Sequence, residues 1–152
     1  MALLSVAVGA HKTAHTARGT LMTDEKEDVL TYLQTHTTPG QNLLVYPYLP
    51  LYNYLSATRS PSPLDYFQTG MNTPGQGAEI ITSLNSGRPV PVLFEPWFPE
   101  KFANSWPDTP LAAIANDPVA DYIVRNYRMC RMLSSASGWR FHYMVPKQTA
   151  CP

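Results

Sequence analysis

Three side chains of this sequence are candidates for acid–base chemistry, and two of them, Asp65 and Glu95, stand where an α/β chain places ligands. Glu95 ends the apolar run "VPVLFE" (90–95), Asp65 lies in the proline-rich segment beyond an earlier run, "NLLVY" (42–46), and His142 sits in "WRFHYMV". Ligands of open α/β sheets gather beyond the carboxyl ends of strands. Asp65 and Glu95 are therefore candidates for a carboxylate pair working as acid and base, although no spacing in the sequence brings them together. His142 alternates with Phe141 and Tyr143, which predicts a solvent-facing strand position. His36 closes the first predicted helix, where an imidazolium suits the helix dipole, and His11 and His15 have no predictable partner. Cys130 and Cys151 are too few and too far apart for a zinc site; a disulfide between them is compatible with the sequence and not required by it. Pro47-Tyr48-Leu49-Pro50 follows the first strand in place of a glycine-rich phosphate loop. Walker, H-E-x-x-H and G-x-S-x-G patterns are missing as well. No catalytic residue, metal ligand or cofactor is assigned on this basis.

The aromatic residues carry a clearer pattern. Tyr46, Tyr48, Tyr52, Tyr54 and Tyr66 follow one another around the end of the first strand, and Trp97, Phe98 and Trp106 follow the second. In a parallel sheet both sets emerge at the same edge. Aromatic faces with polar rims stack on sugars and line docking surfaces, while many aromatics are simply buried in a core. The residues expected to contact a ligand at this edge are Tyr48, Tyr52, Arg59, Asp65, Tyr66 and Trp97. Arg59 either pairs with Asp65 to hold the long loop 58–77 or meets a phosphate.

The elements that must position these residues read as follows. Residues 23–40 predict a helix capped by Thr23 or Asp24 and stopped by Pro39-Gly40. Residues 42–46 and 90–95 predict buried strands, and 49–57 one or two helical turns behind Pro50. A helix is predicted over 74–87, and another over 117–130 with Asp117 as cap and Pro118 at its first position. Residues 96–110 read as a proline-rich excursion, and "SASG" as the turn of a closing hairpin. Strands alternating with helices predict a layered α/β/α domain with a mainly parallel sheet and a C-terminal antiparallel hairpin adding at an edge. The predicted organisation is an apolar-then-polar lead-in over 1–22, one domain over 23–146, and a tail over 147–152.

Composition narrows the function classes. Lys and Arg equal Asp and Glu at 11 each, so the basic excess of a nucleic-acid binder is missing. Charged residues are 14% and prolines number 15, which points to surfaces meeting a partner or a neighbouring domain. "MALLSVAVGA" is apolar but far shorter than the ~20 residues that span a bilayer.

"TPGQNLLVYPYLPLYNYLSATRSPSPLDYF" resembles the extramembrane C-terminal region of polytopic, polyprenyl-phosphate-sugar-dependent glycosyltransferases of the protein mannosyltransferase-like kind. The matching positions are Thr38-Pro39-Gly40, Val45-Tyr46-Pro47, Pro50-Leu51-Tyr52, Leu55-Ser56 and Arg59. Val92-Leu93-Phe94, Tyr122-Ile123 and Asn126-Tyr127 continue the likeness over roughly residues 20–145. The resemblance implies that "LLSVAVGA" ends a transmembrane helix and that the domain lies outside the cytoplasm beside the membrane. It implies partners in the transmembrane domain of the same polypeptide and in a sugar acceptor or polyprenyl-phosphate-sugar. That family's catalytic carboxylate lies in loops with no counterpart here, so the implied role is accessory. Two other readings stay open: a soluble carbohydrate- or protein-binding module, and a small α/β hydrolase using Asp65, Glu95 or His142.

Overall fold

The computed structural model describes residues 11–67, 72–105, 107–108, 112 and 115–152. The apolar segment 1–10 and Trp106 lie outside them. The chain opens with a two-stranded antiparallel hairpin, β1 (Lys12–Thr16) and β2 (Gly19–Thr23). Gly19, at φ +136°, makes the tight turn that a side chain would resist, and Thr16 Oγ1 donates to the Gly19 carbonyl at 2.8 Å. Only Ala14 of this hairpin is buried. A strand pair with so little apolar alternation gives almost no periodic signal, and the sequence reading assigned it no element.

Helix α1 (Asp28–His36) starts later than predicted, because Thr23 is taken by β2 and Asp24 lies beside His11. Its cap is Glu27, whose Oε1 accepts from Leu30 N at 3.3 Å while Oε2 accepts from Ala136 N at 2.8 Å. One side chain thus ties the start of α1 to the turn of the closing hairpin. At the other end, His36 stacks on Tyr32 with ring centroids 4.0 Å apart, and its Nδ1 lies 2.9 Å from the Tyr32 carbonyl.

Strand β3 (Leu44–Tyr46), helix α2 (Leu51–Ser56), helix α3 (Pro74–Leu84) and strand β4 (Val92–Phe94) follow. Thr73 and Gln76 form a reciprocal capping box at the start of α3. β3 and β4 pair in parallel, with Leu44 opposite Val92 and Tyr46 opposite Phe94. The segment read as a proline-rich excursion contains helix α4 (Phe98–Ser105). Helix α5 (Pro118–Asn126) is capped by Asp117, which accepts from Val119 N and Ala120 N at 3.0 Å each. It ends four residues before the predicted limit and passes without a loop into β5 (Tyr127–Ser134), which turns back as β6 (Arg140–Pro146).

The predicted layered α/β/α domain with a mainly parallel sheet is overturned. The main sheet is mixed, in the order β3-β4-β6-β5, with β3–β4 as its one parallel pair. α5 does deliver β5 in the direction of β3 and β4. β6, however, inserts between β4 and β5, so two antiparallel contacts replace the expected parallel one. The hairpin therefore adds through an interior strand, and β5 is the edge.

The sheet buries both faces. Val45, Leu93, Phe141, Tyr143 and Val145 pack with Val29, Leu30 and Leu33 of α1 and Tyr52 and Leu55 of α2. Leu44, Tyr46, Val92, Phe94 and Met144 pack with Ile80 and Leu84 of α3 and Val119 and Ile123 of α5. Two-sided burial explains why 42–46 and 90–95 read as unbroken apolar runs.

Glu27→Ala is expected to cost about 2 kcal/mol, combining a lost cap with an orphaned Ala136 N–H. Urea denaturation measures this through the midpoint; an unchanged midpoint would show that Glu27 does not hold the two elements together.

Candidate functional site

The parallel pairing of β3 and β4 sends the chain segments that follow them to the same end of the sheet. After Tyr46 the chain passes a cis peptide bond to Pro47, then Tyr48, then Leu49 at φ +81°. A leucine there is a strained residue of the sort that persists only where its surroundings hold it. Tyr48 is half-buried and reaches Phe98 of α4 (centroids 5.0 Å apart), Trp139 (5.3 Å) and Tyr66 (6.0 Å). Phe67 N donates to the Pro47 carbonyl at 2.8 Å, which returns the long loop to this end.

Glu95 leaves β4 at the same end and is 2% exposed. Among the described residues no hydrogen bond of normal geometry reaches either carboxylate oxygen, and the Lys101 ammonium stands 3.5 Å from Oε1. Burial raises the Glu95 pKa above the ordinary carboxylate value. Lys101, the backbone N–H of Trp97 and the charge of Arg140 oppose that rise. The same Lys101 Nζ lies 3.5 Å from the centroid of the Trp139 ring, and the Arg140 guanidinium lies 4.3 Å from that of Trp97. Trp97 in turn meets His142 edge-on at 5.2 Å. The result is one buried carboxyl, two cations and a wall of rings.

Beside this cluster is a cavity of about 120 Å³, lined in part by Tyr46, Phe94, Glu95, Phe98, Asp117 and Asp121. The Tyr46 hydroxyl donates to Asp117 Oδ2 at 2.6 Å, and burial with the Asp117 charge pushes its pKa far up. Among the described residues no group of three or more His, Cys, Asp or Glu is placed to hold a metal ion.

The residues expected at the ligand edge are distributed unevenly. Tyr48, Tyr66 and Trp97 come to this end of the sheet. Tyr52 is 7% exposed and packs edge-on against Phe141 in the core. Arg59 and Asp65 are both exposed and form no ion pair with each other. Arg59 serves through its backbone instead, donating to the Gln41 carbonyl and accepting from Leu43 N, both at 2.9 Å. Asp65 and Glu95 differ completely in burial, and the structure gives them no contact as a carboxylate pair. His142 is half-buried rather than solvent-facing, and burial lowers its pKa.

Lys101, Trp139 and Arg140 escaped the sequence reading. The signal available for the last two was an indole and a guanidinium side by side at the start of the final strand, with nothing to say which end of the sheet it met. Cys130 and Cys151 are joined in a disulfide. Comparison with protein-family models, with curated proteins and with solved structures finds no match for this chain.

Lys101→Met is expected to destabilise the fold by about 2 kcal/mol at neutral pH. That lies between the ~3–5 of a broken buried pair and the ~0–1 of a surface pair, since the Lys101 side chain is 36% exposed. The Glu95 pKa is raised in the folded state, so its protonated form favours folding below the unfolded value, and that contribution is lost as pH rises through the folded pKa. Lys101 offsets the loss. The deficit of the variant should therefore open as pH climbs past the ordinary glutamate value and shrink on acidification. Denaturation at several pH values tests this; a deficit independent of pH would mean that Lys101 contributes only its packing on Trp139.

Proposed function

We propose that this chain is an accessory, extracytoplasmic domain of a membrane glycosyltransferase that uses a polyprenyl-phosphate-sugar donor. In this reading the end of the β3–β4 pair faces the donor or the acceptor. The observation that carries it is the convergence of Tyr48, Tyr66, Trp97 and Trp139 with Lys101 and Arg140 beside a buried carboxyl. Rings suit a sugar face, and a lysine with an exposed arginine suits a phosphate. The likeness of residues 38–59 to the extramembrane regions of such enzymes supports the same reading. So does the Cys130–Cys151 disulfide, since such bonds persist in oxidising compartments. Among the described residues no helix is long and apolar enough to cross a membrane. In this reading the membrane-embedded chemistry belongs to a transmembrane domain of the same polypeptide.

A second reading has one observation in its favour. A buried glutamate with a raised pKa beside a cation is also how a small hydrolase would hold a general acid.

Titrating the full chain with mannosyl phosphate while following the indole N–H resonances separates the two. Weak binding that shifts Trp97 and Trp139 is expected, with Tyr48→Ala weakening it by about two- to tenfold, as loss of a ring contact does. Cleavage of the glycosyl phosphate that disappears in Glu95→Gln would establish the hydrolase instead, and unmoved indoles would remove the ligand role of this edge.

A further inference from the structure

The charges of this neutral chain are segregated. Beyond Asp121 there is no Asp or Glu, while Arg125, Arg128, Arg131, Arg140 and Lys147 all follow. Up to Asp121, six Lys and Arg face eleven Asp and Glu, so the two parts carry opposite net charge. All five late cations are exposed and lie on α5, β5, β6 or the tail.

Arg128 and Arg131 lie on the edge strand itself, Arg131 5.8 Å from the Tyr32 ring centroid, whereas Arg125 pairs with Asp121 and Arg140 stands over Trp97. Among the described residues, β5 pairs with β6 on one side and with no strand on the other. Its register places Met129 opposite Met144 and Met132 opposite His142 on one face, with Arg128 opposite Val145 and Arg131 opposite Tyr143 on the other. A register shift between Met129 and Arg131 accommodates the change. Met129 and Met132 are 53% and 56% exposed, among the largest apolar exposures of the molecule. The Cys130–Cys151 bond holds the tail beside this strand, and Arg128 donates to the Thr149 carbonyl.

We propose that the β5 edge, with Met129 and Met132 on one flank and Arg128 and Arg131 on the other, docks on an anionic lipid surface. Approached edge-on, both flanks reach the same plane. The guanidinium groups are long enough to meet lipid phosphates, and the thioether side chains enter the boundary between headgroups and acyl chains. A second copy of this chain would set arginines against arginines, so self-pairing of the edge is opposed. A purely polar polyanion would gain nothing from the methionines.

Co-sedimentation of the full chain with vesicles tests the proposal, using phosphatidylcholine alone and phosphatidylcholine mixed with phosphatidylglycerol. Binding is expected only to the mixed vesicles and should weaken with added salt. Arg128→Gln with Arg131→Gln should lower the partition coefficient on the order of 30-fold, from about fivefold per basic residue. Met129→Ser with Met132→Ser should weaken binding at every salt concentration, and circular dichroism checks that each variant is folded. If the arginine variant does not fold, the salt dependence and the methionine variant decide. Equal binding to both vesicles, or to neither, overturns the proposal. So does binding to heparin that the methionine variant leaves unchanged, without any binding to the mixed vesicles.

Discussion

The antiparallel contact of β4 with β6, Val92 against Met144 and Phe94 against His142, is the pairing on which both core and site depend. It lets a three-residue strand, too short to be stable by itself, sit between two neighbours with each face buried. Its direction matters as much as its existence. Because β6 runs against β4, the start of β6 lies at the finish of β4, and Trp139, Arg140 and His142 meet Glu95 and Trp97 there. A parallel neighbour would have brought its own final residues to that end instead.

The cost of this arrangement is concentrated in Glu95. A carboxyl enclosed by rings loses its hydration, and without good hydrogen bonds the protein replaces only part of it. Lys101 reaches across Trp139 to supply a counter-charge, so α4, the hairpin and β4 are joined through one ion pair and one ring contact. Glu27 makes a comparable join between α1 and the turn of the closing hairpin, where backbone N–H groups satisfy both its oxygens. The difference is instructive. A carboxyl bonded to two amides is satisfied by fixed backbone groups, whereas Glu95 depends on a half-exposed ammonium for its counter-charge.

Much of this was legible in the sequence because the strongest signals are local. The runs 42–46 and 90–95, the Asp117-Pro118 helix start, the Pro74 helix and the "SASG" turn all formed at or near their expected places. The opening hairpin was not legible, since it buries only Ala14 and therefore lacks a period. The sheet order was missed for a different reason. Nothing local distinguishes β5 from β6 as the partner of β4; that choice rests on which strand is apolar on both faces, and Phe141 to Pro146 is. At the site, the order of aromatics after each strand located Tyr48, Tyr66 and Trp97. Arg140 was missed because its partner Trp97 lies across the fold, Lys101 because 96–110 was read as an excursion and not as the helix that turns it back to Glu95, and Tyr52 was misplaced because a tyrosine on a short helix looks the same whether it faces the core or the edge.

The protonation state of Glu95 reports most directly whether this end of the sheet is enclosed. Carbon-13 carboxyl resonances followed through an acid titration would report its protonation directly, in the native chain and in Lys101→Met. The arrangement described predicts a midpoint above the ~4.3 of an unperturbed glutamate, moving higher still when the ammonium is removed. A Glu95 that titrates at the ordinary value in both chains would mean that water reaches the carboxyl freely. The enclosed site at the junction of β4, α4 and β6 would then not exist as described.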